Sequence, residues 1–236
     1  MFSFTIFVKV SFKAIQDPLI DAVLVPPSAS RTSQSTVKEY PLIIPKLQTA
    51  LRERPINLEI SLDLPPSNDF LEILCDACFR YLRQQVLSGV NALQIFDSWA
   101  DLLSAQELEI FSLQYTKKIT QKLKSDPITK NIPIILFEKD PKQKITDLIF
   151  DDLSCISLHW KNDIESISKS LKNNIAIQGN LNPMILSESD EIIHQEVQRI
   201  CSIMFEYPGF IFNLGHGITP DINPQKVQTM IKAARE

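Results

Sequence analysis

Polar and aromatic side chains follow five successive apolar runs of the sequence, and their types suit proton transfer and anion binding. These groups are Asp97-Ser98-Trp99, Glu138-Lys139-Asp140, His159-Trp160, Gly179-Asn180-Leu181-Asn182-Pro183 and Gly215-His216-Gly217. If the runs are parallel strands, their carboxyl ends meet on one face of the fold and bring the groups together. The pattern predicts a ligand-binding or catalytic site, since a purely structural chain needs no such cluster.

His216 is the sharpest single candidate. Gly215 and Gly217 leave its imidazole unshielded and let the backbone turn tightly or approach a ligand. Histidine gains or loses a proton near neutral pH, so this side chain can donate a proton or hold an anionic group. A histidine that caps a turn is the alternative interpretation.

Four further residues complete the predicted site. Ser98 can donate a hydrogen bond to a carboxylate, and Asp97 can face an anion or hold a cation. Helix capping is the alternative for both residues. Trp99 and Asn180 lie in the same cluster and are expected to support it.

The other residues that can bind metals give no recognisable metal site. Cys75 and Cys78 lie three residues apart on a predicted helix without a second pair, which favours core packing over zinc. His194 lies beside the apolar stripe of its predicted helix and is expected at the surface or in a satisfied contact, while His159 at a strand end is ambiguous. No His-x-Cys pair or H-E-x-x-H motif occurs, so we predict no metal.

Composition excludes several classes of function. The 236 residues include 24 Lys and Arg against 28 Asp and Glu, and a net charge of −4 gives no reason to expect binding to nucleic acid or an anionic membrane. No apolar run approaches the ~20 residues of a membrane helix. The 4 cysteines form no disulfide framework, which favours a reduced, cytoplasmic setting. The 5 glycines form no phosphate-binding loop.

Short β-type runs alternate with longer helical stretches from about residue 37. The predicted strands are Ile56–Leu62, Ala92–Phe96, Ile132–Phe137, Cys155–His159, Ile175–Gln178 and Gly209–Asn213. They are almost continuously apolar, as parallel strands covered on both faces are. Residues 1–36 are interpreted as a poorly defined strand and loop, and Lys9 in the apolar start argues against a signal peptide.

The helical stretches carry recognisable start signals. Asp69–Leu87 has an apolar stripe, and Gln106–Leu123 follows Ser104 with Glu107 three residues later, which is a capping box. Ser187 or Ser189 is expected to cap the next long helix.

The last helix is expected to begin at Asn223-Pro224. Val227, Met230 and Ile231 are predicted to form its buried face.

This alternation predicts an α/β fold with a parallel sheet, either a barrel or doubly wound. Six strand–helix units are fewer than the eight of a closed (β/α)8 barrel, which takes ~250 residues. We therefore expect an incomplete TIM-type barrel in one domain over residues 1–236. The open edges of such a barrel would leave strand backbone unpaired.

Three motifs resemble the uroporphyrinogen decarboxylase family. The run QIFDSWA at 94–100 is similar to the family's Q-x-F-D-[ST]-W-x-G, and AIQGNLNP at 176–183 is similar to Q-G-N-L-D-P. The run FNLGHGITP at 212–220 is similar to N-L-G-H-G-I-x-P. The motifs occur in order and at suitable spacing, and the resemblance extends from about Asp69 to the C-terminus.

The resemblance implies a function as well as a fold. The family is a cofactor-free (β/α)8 barrel that removes CO2 from the four acetate side chains of uroporphyrinogen III, which gives coproporphyrinogen III in haem biosynthesis. Ser98 and His216 then correspond to positions that contact the carboxylates of the tetrapyrrole. The family's usual homodimer is the assembly implied.

The sequence also departs from the family. The R-Q-A-G-R-Y segment, the F-S-D-I segment with its catalytic aspartate and the G-A-P-[WF]-T-L-A-x-Y tyrosine have no counterpart, so the chain is expected to be N-terminally truncated and poorly active alone. Asp101 replaces a glycine, Asn182 replaces an aspartate, and His159 replaces an aspartate before tryptophan.

Two hypotheses of different classes stay open. The chain is either the C-terminal part of a decarboxylase or a non-catalytic homologue that binds a tetrapyrrole or a partner protein. A cobalamin-linked methyltransferase of the same superfamily is disfavoured, because its His-x-Cys…Cys zinc site is not found.

Overall fold

Seven strands form one sheet in the computed structural model, which describes residues 2–10, 58–62, 68–171 and 175–236. The strands are β1 (Phe2–Val10), β2 (Leu58–Leu62), β3 (Leu93–Asp97), β4 (Ile134–Glu138), β5 (Cys155–Ser157), β6 (Ala176–Leu181) and β7 (Phe210–Leu214). Their order across the sheet is β2-β1-β3-β4-β5-β6-β7. Every predicted strand therefore has a counterpart within a few residues, and the apolar start is a strand.

The sheet has a parallel part and an antiparallel edge. Strands β3 to β7 are parallel neighbours in chain order, as predicted. Strand β1 lies between β2 and β3 and pairs antiparallel to both, which the prediction of a wholly parallel sheet missed. An apolar run carries no information about strand direction, so the sequence could not show this reversal.

Helices alternate with the parallel strands. The α-helices are α1 (Asn68–Leu87), α2 (Ala105–Leu108), α3 (Gln114–Ser125), α4 (Ile164–Leu171), α5 (Asp190–Met204) and α6 (Pro224–Ala233). Three 3-10 helices cover Ala100–Leu102, Ile145–Leu148 and Pro183–Ser187. A π-helical turn, Glu109–Leu113, joins α2 to α3 without a break.

The helix starts follow the sequence signals. Ser104 accepts from the backbone of Glu107, whose side chain accepts from the backbone of Ser104, so the capping box is confirmed. Ser189, not Ser187, caps α5 by accepting from the backbone of Ile192. Asn223 caps α6 as predicted.

The core lies between the parallel strands and the helices. Helix α5 turns a fully buried stripe toward it, formed by Ile193, Val197, Ile200 and Met204. Met230 of α6 is also buried, but Ile231 is 41% exposed, so its predicted burial is wrong. Met230 and Ile231 point about 100° apart on the helix, and one stripe does not cover both.

The architecture is an α/β sheet of the incomplete barrel type. In the described part of the chain β7 pairs with β6 alone, so the sheet stays open along β7. No helix among the described residues is long and apolar enough to cross a membrane. The parallel arrangement places the carboxyl ends of β3 to β7 along one edge of the sheet.

Candidate functional site

The strand ends present two different faces, and hydrogen bonds identify them. Gln178 Nε2 donates to Ser157 Oγ at 3.0 Å and to Gln94 Oε1 at 3.3 Å, so these three side chains share the inner face of the curved sheet. Because side chains alternate along a strand, Asp97 lies on the opposite face from Gln94. The opposite face packs against the helices.

Asp97 is held on the helix-facing side. Its Oδ1 accepts from the backbone N–H of Trp99 at 3.0 Å, and its Oδ2 accepts from the hydroxyl of Ser112 at 2.7 Å. Ser112 belongs to the π-helical turn and is itself buried. The carboxylate therefore orders the loop after β3 and anchors it to the helix layer. The short helix that follows has Trp99 as its N-cap residue and no side-chain cap, so Asp97 is not a helix cap.

Glu138 is the register partner of Asp97 on β4 and faces the same side. It is 1% exposed, and neither of its oxygens has a hydrogen bond of ordinary geometry with the described residues. Burial, reinforced by the nearby Asp97 carboxyl, raises the pKa of Glu138 well above its usual range. Asp97 has two donors and Glu138 has none, so Glu138 is the member of the pair that keeps its proton.

An aromatic cluster occupies the inner face at the same strand ends. The Phe137 ring centre lies 5.7 Å from that of Phe96, 6.4 Å from that of His159 and 6.3 Å from that of His216. The two imidazoles meet edge to face with centres 5.9 Å apart. These contacts bring the ends of β3, β4 and β5 together with the loop after β7.

Sequence reasoning left His159 undecided, and the structure places it inside this cluster. The residue is 3% exposed, and its Nδ1 is buried without a hydrogen-bond partner among the described residues. Burial lowers the pKa of His159, so its imidazole is neutral near pH 7. The signals in the sequence were its position at the end of a strand and its replacement of a family aspartate before tryptophan.

Gly215 allows the loop after β7 to lie directly on the loop after β5. Its N–H donates to the carbonyl of Leu181 at 2.8 Å, and its carbonyl accepts from the N–H of Trp160 at 3.3 Å. A Cβ at this position would lie 2.3 Å from the Trp160 nitrogen, whereas one at Gly217 would meet nothing within 4 Å. Gly215 thus serves a close backbone approach and Gly217 borders open space.

Ser98 and Trp99 directly follow β3 and differ in their contacts. Ser98 is half-buried, and its hydroxyl makes no hydrogen bond with the part of the chain that the structure describes. Lys139 lies 5.3 Å from the centre of the Trp99 ring and forms an ion pair with Asp101 at 3.2 Å. The hydroxyl of Ser98 and the buried Nε1 of Trp99 are thus both polar groups of this loop without a hydrogen-bond partner among the described residues.

Asn180 has an internal role. Its amide donates to the carbonyl of His159 at 3.1 Å and to that of Asn162 at 2.8 Å, and the side chain is buried. It ties β6 to the loop after β5 and so fixes the backbone that carries His159.

A cavity of about 390 Å³ lies beside the cluster, bordered by Trp160, Asn180 and Arg199. Neither Ser98 nor His216 borders this cavity. The structure therefore brings His216 together with His159 and Phe137 on the inner face, whereas Asp97 lies on the opposite face and Asn180 borders the cavity.

The remaining candidates lie elsewhere. Cys75 is buried in the core, where burial raises the pKa of its thiol to about 11. His194 is exposed and pairs with Glu236 at 2.7 Å. Within the described ranges, no three His, Cys, Asp or Glu side chains come together as a metal site would require.

Comparison with solved structures concerns the fold. The fold matches a methyltransferase from Methanosarcina mazei with a TM-score of 0.56 at 18% identity, over 71% of this chain and 48% of that one. At that identity the likeness concerns the fold alone. The protein is thus an α/β chain of the barrel class with polar groups at the carboxyl ends of its parallel strands.

The sequence matches then give the family. The model of the uroporphyrinogen decarboxylase family matches residues 66–236, and the chain belongs to this family. The uroporphyrinogen decarboxylase of Vesicomyosocius okutanii is 36% identical over 158 residues, which is 67% of this chain and 45% of that protein. That of Legionella pneumophila is 38% identical over 156 residues, or 66% and 44% of the two chains.

The chain spans about half the length of these curated relatives.

Proposed function

We propose that this chain forms the carboxylate-binding part of a uroporphyrinogen decarboxylase site. The reaction converts the four acetate side chains of uroporphyrinogen III to methyl groups and gives coproporphyrinogen III. The observation that carries the proposal is the position of His216, which lies in a family motif and contacts Phe137 and His159 over the inner face.

The chemistry of the reaction defines what such a site must supply. Protonation of a pyrrole makes the ring an electron sink, and the bond between the acetate methylene and its carboxylate then breaks. The electron pair enters the ring, CO2 leaves, a proton adds to the methylene carbon and the ring loses its extra proton. Donors that hold the other carboxylates in place lower this barrier by fixing the ring relative to the proton source.

The described residues can fill the binding roles. Ser98 offers a free hydroxyl, and His216 offers an exposed imidazole on the other side of the cluster. Phe96 is half-buried beside Phe137 and presents apolar surface against which a pyrrole can pack. The proposed route uses no cofactor, and we extend the proposal to a cytoplasmic enzyme that acts as a homodimer.

A second function, tetrapyrrole binding without catalysis, is favoured by the position of the carboxylates. Asp97 and Glu138 face the helices, while Asp101 pairs with Lys139 and Asp140 pairs with Lys161 at 2.6 Å. None of these four groups is a free carboxylate on the inner face that could stabilise a cationic ring.

An anaerobic assay separates the two functions. The purified chain is incubated with uroporphyrinogen III, and products are oxidised and resolved by HPLC beside the Legionella pneumophila relative. We expect conversion slower than that of the relative and about tenfold lower again in His216→Ala, because a charged hydrogen bond contributes about 1.5 kcal/mol. His194→Ala is the matched control, since it removes an exposed histidine remote from the cluster.

The outcomes assign the function directly. Conversion that His216→Ala lowers and His194→Ala preserves supports the decarboxylase. Binding of uroporphyrin III without conversion supports the second function, and neither binding nor conversion refutes both.

A further inference from the structure

The buried ring of His159 is the least satisfied polar group of the inner cluster. Its Nδ1 is shielded from solvent, and the ring makes no hydrogen bond to any described residue. Folded proteins rarely leave a buried ring nitrogen unpaired, because its lost hydration is not replaced. A ligand that supplies the missing hydrogen bond would account for this unpaired nitrogen.

The surroundings of His159 favour an anionic ligand. His216 faces it from the loop after β7, Lys161 lies in its own loop, and Lys139 and Asp140 approach from the loop after β4. Asp140 is paired with Lys161, which offsets its negative charge. Lys139 is likewise paired with Asp101, so the two imidazoles, and not the ammonium groups, are the groups left to bind an anion.

We propose that His159 and His216 together bind one carboxylate of the tetrapyrrole, and that His159 takes up a proton when this carboxylate binds. This inference rests on the proposed function and adds to it a second binding residue that none of the three family motifs contains. The neutral ring of free His159 has one N–H donor, and the protonated ring has two. A carboxylate beside the ring favours the protonated form, which then satisfies both ring nitrogens.

The two imidazole rings lie with their centres 5.9 Å apart. Two protonated rings at this separation would repel, which favours a neutral His159 in the free chain. A carboxylate bound between the rings would remove this penalty, because its negative charge attracts both rings. The pair therefore holds its ligand more tightly at a pH where His159 can still accept the proton.

Binding can be followed with the chain's own fluorophores. The 2 tryptophans, Trp99 and Trp160, both lie in loops at the strand ends, so uroporphyrin III should quench their emission on binding. We expect His159→Gln to weaken binding at pH 6.5 about tenfold, the effect of one charge-assisted hydrogen bond. His159→Asn, whose amide occupies the place of Nδ1, should restore part of the affinity, and His194→Asn should bind as the unmodified chain does.

Proton uptake tests the same idea without a variant. Titration calorimetry in two buffers of different ionisation enthalpy gives the number of protons bound with uroporphyrin III. We expect net uptake that is greatest between about pH 6 and 7.5, where free imidazoles are partly deprotonated. In His159→Asn this uptake should fall by most of its value, and the affinity should depend less on pH.

The failures of the two proposals can be told apart. If the unmodified chain neither binds uroporphyrin III nor converts uroporphyrinogen III, the proposed function and this inference both fail. If it binds a cationic porphyrin equally well, this inference is overturned. If it binds, but His159→Gln and His159→Asn leave affinity and proton uptake unchanged while circular dichroism shows them folded, this inference alone is overturned. Should both variants unfold, absence of proton uptake by the unmodified chain overturns it.

Discussion

The two faces of the same strand ends use polar residues for opposite purposes. On the helix-facing side Asp97 is saturated by two donors, and Glu138 is buried in the neutral form. On the inner face His159 and His216, and in the loop after β3 Ser98, have hydrogen-bonding capacity that no described residue uses. Residues adjacent in sequence, such as Asp97 and Ser98, are thus separated into a structural layer and the layer that we propose binds the ligand.

The proposed binding residues are held in place by other residues, so their own hydrogen-bond donors stay unused. The carboxylate of Asp97 orders the backbone from which Ser98 projects, and the amide of Asn180 fixes the loop that carries His159. The positioning groups are buried and paired within the protein. The groups left for the ligand need no internal partner.

Substitution of Gly215 should have the largest effect on both stability and binding. Gly215→Ala forces a Cβ into the Trp160 backbone, and we expect a loss of about 3 kcal/mol in the free energy of unfolding together with loss of uroporphyrin III binding. Urea denaturation measures the first effect and fluorescence quenching the second. Gly217→Ala, where the space is open, should change both little; equal effects of the two substitutions would contradict the packing argument.

Glu138 should give the helix-facing layer a distinctive pH dependence. Its raised pKa means that the folded chain keeps a proton which the unfolded chain releases above about pH 4.5, the ordinary pKa of the group. The free energy of unfolding should therefore fall as pH rises, by up to about 1.4 kcal/mol per pH unit, until the pH reaches the pKa in the folded state. Denaturation of Glu138→Gln over the same range should lack this component.

Glu188→Gln at an exposed glutamate is the matched control and should retain the slope. A Glu138→Gln variant with the same pH profile as the unmodified chain would show that Glu138 is ionised in the folded protein.

Substitution of Ser98 should have the smallest effect on stability, so that its effect on binding can be measured separately. Ser98→Ala removes a hydroxyl without a described partner, so the free energy of unfolding should change by less than about 0.5 kcal/mol while uroporphyrin III affinity falls about tenfold. Ser104→Ala is the reverse control: loss of the cap of α2 costs about 1 kcal/mol and leaves binding intact. If Ser98→Ala destabilises the chain instead, its hydroxyl belongs to the structural layer.

Much of the fold could be predicted because its signals are local. The capping box at Ser104, the Asn223-Pro224 start and the alternation of apolar runs with helical stretches each depend on a few neighbouring residues. The antiparallel direction of β1 could not be predicted, because it depends on a pairing between distant segments.

The positions of the candidate residues at strand ends could be predicted, but their division between two faces of the sheet could not. A strand covered on both sides carries apolar residues on both faces, so its sequence does not show which alternate residues face inward. Asp97 and Ser98 therefore appeared as one group. His159 could be recognised as significant only after its ring was seen against Phe137 and His216.

The π-helical turn at Glu109–Leu113 changes the direction in which the later side chains of the helix point. A π turn contains one extra residue, and each residue of a helix rotates the following side chains by about 100°. The turn lets Leu108 and Leu113, which are five residues apart, both lie buried in the core, whereas five residues of a regular α-helix would turn them about 140° apart. Deletion of a single residue here would shorten the helix by one residue and keep its helix propensity, yet it would turn Leu108 or the whole stripe of α3 away from the core.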